Sequence, residues 1–342
     1  MIKKAEIPDF PGLPNLGNTC YMNSALQMIF HVPFLYDFFI TLKGYEDKSE
    51  ILKNLLNVFF SMKDNDENLI SNLKIFKASF LAKYKQFQEN EQEDAQELLK
   101  LLLEEIHDNY NIGDKKMLIK IGKYSLTRDL NIQLKEYCKL IEQKDKSLIT
   151  KIFQGVLATS LFCLSCKKEN KILENFWDIS LSFKETSTTF DTYTKKNIYS
   201  LNELIDNFQS TEKMEKICEN CEDYKKFYKK VEIVKYPKVL IVHLKRFYYK
   251  EDCLQKVNYQ VKFPIRNLKF IKKNKNYDLI GIIHHFGSEM YCGHYIADCK
   301  NTSNESWTRY NDEKIDDFNI NIQEFDKKGL DSAYMLFYAC KL

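Results

Sequence analysis

No stretch of this chain stays apolar for long. The most hydrophobic segment, Ala25 to Ile40, is interrupted by His31, Pro33 and Asp37, which excludes a membrane span needing about 20 apolar residues in a row. The first residues, MIKKAEIPDFPG, hold no apolar core of leader length and reach Asp9 and Pro11 early, so no secretory leader is expected. An excess of one charge is also missing. Against 51 basic residues stand 48 acidic ones, a formal +3, short of the basic surplus of nucleic-acid binders. Internal repeats and low-complexity tracts are absent. Ten cysteines in 342 residues are too few for a disulfide scaffold, and four of them fall into two C-x-x-C pairs, the spacing of metal ligands. Reduced thiols, and with them a cytoplasmic or nuclear compartment, are the expectation. The N-x-S matches at Asn301 and Asn304 then read as unused surface sequence.

What the chain does have is core material: 44% hydrophobic and 14% aromatic residues, enough for one large domain. Apolar residues recur at three- and four-residue spacing over Asn23 to about Ile40, Ile51 to Met62, Leu73 to Phe87 and Glu93 to Tyr110, predicting helices. Beyond about Phe153 the pattern turns short, β-branched and aromatic. FWDISLSF, KKVEIVKYPKVLIVHLKRFYY, VNYQVKFP, YDLIGIIHHF, GHYIADCK and SAYMLFYAC predict strands. One amphipathic helix, Ser200 to Phe208, interrupts them, with Ser200 and Glu203 as a capping box. Residues 113–151 are weakly patterned, and KETSTTFDTYTKKN, 184–197, reads as a polar loop. Helices first and strands later make an α+β fold rather than alternating βα units.

In GLPNLGNTCYMNSALQMIF, residues 12–30, Cys20 stands between a Gly/Asn/Pro-rich loop and a helical pattern. A thiolate at a helix start gains from unpaired N–H groups and the positive end of the dipole. Gly17 with Asn15 and Asn18 lets amides approach a developing oxyanion. From that segment alone a buried, inert cysteine fits as well. Later segments tip the balance. MYCGHYIADCK offers His294 beside a glycine at a strand edge, and ESWTRYNDEKIDD a Trp-anchored strand ending in Asn311 and Asp312. They supply a base and a polar group to orient it. Cysteine, then histidine, then asparagine is the order of papain-like proteases. His31, His107 and His243 lie in apolar or helical context and read as structural.

The chain resembles the ubiquitin-specific proteases, from GLPNLGNTCYMNSALQ through QEDAQELL, LSC and CENC, YPKVLIVHLKRF, VKFP, HHFGSEMYCGHYIA and WTRYND to AYMLFY, in that order. The resemblance implies a papain-like fold over 1–342 in one catalytic domain, with a helical thumb (about 12–150), zinc-ribbon fingers (about 155–235) and a β-rich palm (largely 236–342). It implies thiol-dependent hydrolysis of the bond after the C-terminal glycine of ubiquitin. Cys20 would be the nucleophile, His294 the base, Asn311 its orienting partner and Asn15 an oxyanion donor. Alternation along a strand would send Asn311 and Asp312 to opposite faces, so only one can meet the imidazole. The family pattern favours Asn311 and leaves Asp312 an auxiliary part, through its field, a water or the oxyanion. Gln92, Asp94 and Glu97, within QENEQEDAQELLKLLLEE, would touch ubiquitin's arginine-bearing tail, although acidic residues are also what a helix start favours. Cys292 departs from the family's usual Gly or Ser and reads as a space filler or as a resolving thiol for an oxidised Cys20.

Cys163/Cys166 and Cys218/Cys221 offer two thiolates each from tight turns, four soft ligands for one tetrahedral, structural zinc. A rival reading joins this ribbon to Lys167, Lys168, Lys171, Lys225, Lys226, Lys229 and Lys230 as a nucleic-acid surface, but such lysines are more often a solvated face, and nothing else in the chain is biased toward phosphate. The partners expected are ubiquitin and ubiquitinated proteins, with no nucleic acid, no membrane and the chain as a monomer. Two alternatives stay open: a protease for another ubiquitin-like modifier, and a non-catalytic ubiquitin-binding scaffold, against which the intact Cys20, His294 and Asn311 argue.

Overall fold

The computed structural model describes residues 7–42, 48–114, 129–183, 189–191, 196–250, 253–271, 274–288, 293–301, 304–318 and 330–341. Cys292, and with it the resolving-thiol idea, lies outside them. Helices come first: α1 (Cys20–His31), α2 (Pro33–Ile40), α3 (Glu50–Asp64), α4 (Leu69–Lys83), α5 (Ala95–Tyr110), α6 (Leu130–Lys144) and α7 (Leu148–Phe153). The one helix expected over 23–40 is two. A proline disfavours helical backbone in the residue before it, so Val32 turns extended, with ψ 112°, and Pro33 opens α2, where its missing N–H costs nothing. Helix α6 arises in the stretch without clear pattern because it buries only Gln133, Tyr137 and Ile141, a stripe too narrow to read. Among the described residues no helix is long and apolar enough to cross a membrane.

The eight-stranded main sheet runs, edge to edge, through 314–318, 307–311, 293–300, 275–287, 333–340, 239–244 and 178–181, with 268–270 paired onto 275–287. A four-stranded antiparallel sheet takes 169–176, 155–163, 223–235 and 211–218. A third, small sheet contains 189–191 and 196–200, so part of the segment read as a loop is strand. Threonine and aromatic residues favour strands, but the segment lacks the apolar alternation that would have announced one. The capping box forms as expected on α8 (Leu201–Phe208), through Ser200 N–H to Glu203 Oε2 at 2.9 Å and Glu203 N–H to Ser200 Oγ at 3.2 Å.

Helix α1 is the pivot of the packing. All twelve of its residues are buried, between the other helices and the sheet face that carries Ile283, Tyr295, Ala297 and Cys299. The opposite face, with Ile282, Trp307 and Leu336, packs against Leu201, Leu204 and Ile205 of α8. Where α1 meets the sheet most closely the strand has Gly281, since a Cβ there would sit 2.2 Å from Met28 Sδ.

A helix buried all round tolerates polar side chains only with partners. Apart from Ser24, whose hydroxyl donates to the Tyr21 carbonyl at 3.0 Å, those on α1 form one stripe at four-residue spacing: Asn23, Gln27 and His31. Gln27 Nε2 donates to the Pro11 carbonyl (2.8 Å), His31 Nδ1 lies 2.7 Å from the Gln27 carbonyl, and Tyr310 Oη lies 3.2 Å from His31 Nε2. A carbonyl only accepts, so Nδ1 carries the proton and Nε2 takes the tyrosine hydroxyl. The stripe sews α1 to the segment before it and to strand Trp307–Asn311. The same segment is fixed at Gly12, where a Cβ would lie 2.5 Å from the Glu313 carbonyl oxygen, and by Leu13 N–H donating to the Asp312 carbonyl at 3.0 Å.

Burial holds His31 neutral by pushing it from 6.5 down to about 4. Between those values the unfolded chain binds a proton that the folded one refuses, so stability rises with pH across that window, by about 1.4 kcal/mol per pH unit for one such group. Urea titrations from pH 4 to 6.5 should give His31→Gln a pH slope smaller than wild type by that amount.

Candidate active site

The loop that leads into Cys20 is built from its own polar groups. Asn15 Oδ1 accepts the backbone N–H groups of Gly17 and Thr19, both at 3.1 Å. That fixes the amide with its nitrogen turned the other way. Thr19 Oγ1 accepts from Leu16 N–H at 2.8 Å, so Thr19, the N-cap of α1, makes no side-chain cap. The N–H groups of the first turn are left for another acceptor. Gly17 takes φ +90°, and a Cβ there would lie 2.7 Å from Asn90 Oδ1, so only glycine suits it. From outside the loop, Lys77 Nζ holds the Leu16 carbonyl at 2.9 Å and Asn18 Nδ2 donates to the Asn90 carbonyl at 2.6 Å. Cys20 is only 2% exposed, so a slender chain end is what can reach its sulfur.

His294 is the second residue of the strand Gly293–Lys300, and Cys20 is the first influence on its charge. Its Nε2 lies 2.6 Å from Asn311 Oδ1. The amide oxygen accepts, so Nε2 carries a proton and Nδ1 is the nitrogen left for the sulfur. The Cys20 hydrogen bond pushes His294 up to about 9, with the Asn311 bond adding to it against the opposing effect of burial. At neutral pH the ring is thereby held as the imidazolium, with a proton on Nδ1 facing the sulfur.

Asp312 does a different job from its neighbour, as expected, but the strand's alternation is not the reason. The strand ends at Asn311, and Asp312 begins a turn at φ +52°. Its Oδ2 accepts from Asn15 Nδ2 at 2.9 Å and its Oδ1 from Asn23 Nδ2 at 2.8 Å. One N–H of Asn15 is thus anchored, and the other is available to an oxyanion. Asn23 also reaches the Leu13 and Pro14 carbonyls, each at 3.1 Å, so α1, the incoming segment and the turn meet at one point. Sequence reasoning passed over Asn23. Its signal was the polar repeat 23, 27, 31 on an otherwise apolar helix.

The three residues expected at a substrate tail lie at or just before the start of α5 and differ in availability. Gln92 Nε2 donates to the Gly293 carbonyl at 2.6 Å and its Oε1 accepts Gly293 N–H at 2.5 Å, a two-way clamp on the residue before His294. Asp94 is the N-cap of α5, accepting from Gln96 N–H at 2.7 Å and from Tyr334 Oη at 2.8 and 2.7 Å. Burial raises its carboxyl above the usual carboxylate range. Glu97 is exposed in the first turn. Internal anchoring is therefore a part that Gln92 and Asp94 play and that spacing did not announce.

The four cysteines of the two C-x-x-C pairs converge at the tip of the four-stranded sheet. Their sulfurs all lie within 4.8 Å of one another, with Cys166 Sγ 3.7 Å from Cys218 Sγ. Tetrahedral thiolates on a zinc at about 2.3 Å stand about 3.8 Å apart. Lys167 and Glu222, the residues just after each pair, take φ +62° and +54°, and the backbone N–H groups so gathered face the sulfurs. The Lys168 N–H leads in pulling the Cys166 thiol down to about 6. The donor set and its turns fit a closed four-thiolate metal site. Three of the seven neighbouring lysines are matched by acids: Lys171 to Glu169 (3.7 Å), Lys225 to Asp223 (2.5 Å) and Lys230 to Glu232 (2.9 Å).

A thiol at an uncapped helix start, beside an imidazole that an amide orients, is the arrangement that cysteine hydrolases use. The family model described as ubiquitin carboxyl-terminal hydrolase matches residues 11–338, and the chain belongs to that family. It is similar to ubiquitin carboxyl-terminal hydrolase Usp2 of Drosophila melanogaster, 27% identical over 347 residues that cover 96% of this chain and 34% of that protein. To ubiquitin carboxyl-terminal hydrolase 2 of Bos taurus it is 29% identical over 343 residues, 96% of this chain and 54% of that one. The chain spans about a third to about half the length of these relatives. Among solved structures, Ubp8 in the SAGA DUB module with Sgf11, Sus1 and Sgf73, bound to monoubiquitin, superposes with a TM-score of 0.73 at 23% identity, over 100% of this chain and 72% of that one. The module bound to ubiquitin aldehyde gives 0.72 at the same identity and coverage. These likenesses show the fold.

Titrating His294 by NMR needs no substrate. Its midpoint should stand near pH 9 in the wild type, fall furthest in Cys20→Ala, fall less in Asn311→Ala and least in Asp312→Ala, following the order of their contributions.

Proposed function

We propose that the chain is a thiol-dependent deubiquitinase that hydrolyses the isopeptide or peptide bond after the C-terminal glycine of ubiquitin. The hydrogen-bonded Cys20–His294–Asn311 set carries this reading, and family membership supports the substrate class. Cys20 passes its proton to His294 Nδ1, and the thiolate attacks the glycine carbonyl. Charge growing on the carbonyl oxygen meets the second N–H of Asn15 and the uncapped first turn of α1. The imidazolium then protonates the departing lysine amine, leaving a thioester on Cys20. His294 owes its raised basicity first to the sulfur. Once that sulfur is acylated the support is gone, and a neutral imidazole is free to take a proton from the hydrolytic water. A hydroxide equivalent replaces sulfur on the carbonyl, and Cys20 recovers its proton.

Recognition of ubiquitin's body belongs in this reading to the four-stranded sheet and that of its tail to the region of Glu97. The four cysteines hold one structural zinc and supply no open position for chemistry. Clustered free thiols support a reducing compartment, cytosol or nucleus. The acid-matched lysines support a solvated face over a nucleic-acid surface.

Ubiquitin carrying a C-terminal electrophile should modify the wild type once per chain and leave Cys20→Ala unmodified, while that variant still binds ubiquitin. Modification by another ubiquitin-like electrophile in preference to ubiquitin would transfer the activity to that modifier. Metal analysis of freshly purified protein should find about one zinc per chain, and Cys218→Ser should lose it together with thermal stability.

A further inference from the structure

His294 sits at the turn end of a hairpin formed by strands Lys275–Gly287 and Gly293–Lys300, where Phe286 pairs with His294 and Gly287 with Gly293. Gln92 grips one side of that end, through Gly293. The other side is gripped by Lys256, the last residue of strand Cys253–Lys256. Its Nζ donates to the His285 carbonyl, to the Gly287 carbonyl and to His285 Nδ1, each at 2.8 Å. These use all three N–H groups of the ammonium.

The contact is relayed onward. Because Nδ1 of His285 accepts, that ring is neutral and carries its proton on Nε2, and burial agrees, pushing the imidazole down to about 3. The Nε2 edge lies against Gly293, where a Cβ would be 2.2 Å from Nε2 and 2.6 Å from the Phe286 carbonyl oxygen. The ring is also wedged edge-on by Phe247, centroids 5.2 Å apart, and by Tyr295 at 4.6 Å. Ammonium, imidazole, glycine and the catalytic imidazole thus form one unbroken line of packed groups.

We propose that Lys256 is a positioning residue for the reaction, setting the place of His294 through His285 and the hairpin end; this rests on the catalytic reading above. Lys256 touches no reacting atom. Without its ammonium, two carbonyls and a ring nitrogen lose their donor, and the hairpin end settles elsewhere. A shift of about 1 Å in a catalytic base is enough to cost about a hundredfold.

The test compares wild type with Lys256→Met, which keeps length and loses charge and donors. It reads kcat and KM on ubiquitin bearing a C-terminal fluorogenic amide, and the NMR midpoint of His294. The expected result is a kcat lower by about tenfold or more, a KM within about twofold, and a His294 midpoint below that of the wild type because the Cys20 hydrogen bond is lengthened. Lys256→Gln, which keeps two donors without charge, replaces Lys256→Met if that variant does not fold, and is held to the same criteria. A folded variant with wild-type kcat and midpoint overturns the proposal, as does a loss confined to KM, which would make Lys256 part of the substrate channel. Failure of the wild type to turn over ubiquitin amide would sink the deubiquitinase reading alone, since the His294 midpoint still reports whether Lys256 positions the imidazole.

Discussion

Everything in the site depends on pinning a buried helix to the end of a sheet, and one carboxylate does it. Asp312 accepts amide hydrogens from Asn15 and Asn23, residues 297 and 289 positions away in the sequence. Hydrogen bonds to a charged acceptor are worth about 1.5–3 kcal/mol each, enough to hold a loop that would otherwise sample many conformations. The left-handed turn at Asp312 also divides the labour of two adjacent side chains. Asn311 faces the imidazole, and Asp312 faces the loop that carries Asn15 and leads into Cys20. His294 and Asn15 therefore take their places from the same turn.

The histidines show how surroundings decide the chemistry of one side-chain type. Burial drives His31 to about 4 and His243 and His285 to about 3, with hydroxyls, a carbonyl or an ammonium as neighbours. His294 is half-buried and its first partner is an ionisable sulfur, which moves it the other way. Imidazoles that serve as neutral struts and one that carries protons can then share a domain without being confused by a change of pH near neutrality.

How much of this was legible depended on whether the signal was local. Helices α3 to α5, the strands of the main sheet and the Ser200–Glu203 box announce themselves by spacing. So do the four cysteines, by their paired spacing, while Cys20 stands out only together with His294, and the choice of Asn311 over Asp312 came from the family resemblance. Helix α6 was hidden by its narrow buried stripe. The clamps at Gln92 and Lys256 were hidden for a deeper reason. Their acceptors and donors are mostly the backbone of Gly293, His285 and Gly287, and every residue carries the same peptide group. Glycines were partly readable, as Gly17 shows, whereas Gly12 and Gly293 gain meaning only once a distant backbone or ring is seen against them.

The order of the main sheet has a consequence for how the protein is made. Strand Ala333–Cys340, the last among the described residues, is an inner strand, between 275–287 and 239–244, and the loop before Cys20 waits nearly 300 residues for its anchor. Loop closure over such separations delays the reward of contact formation. A ribosome that has translated residue 20 has made a thiol, but the base, the anchor and the sheet that aligns them are hundreds of codons away. Until the sheet closes, the thiol, the imidazole and the carboxylate anchor are thus held apart in time, and the site forms only late in synthesis.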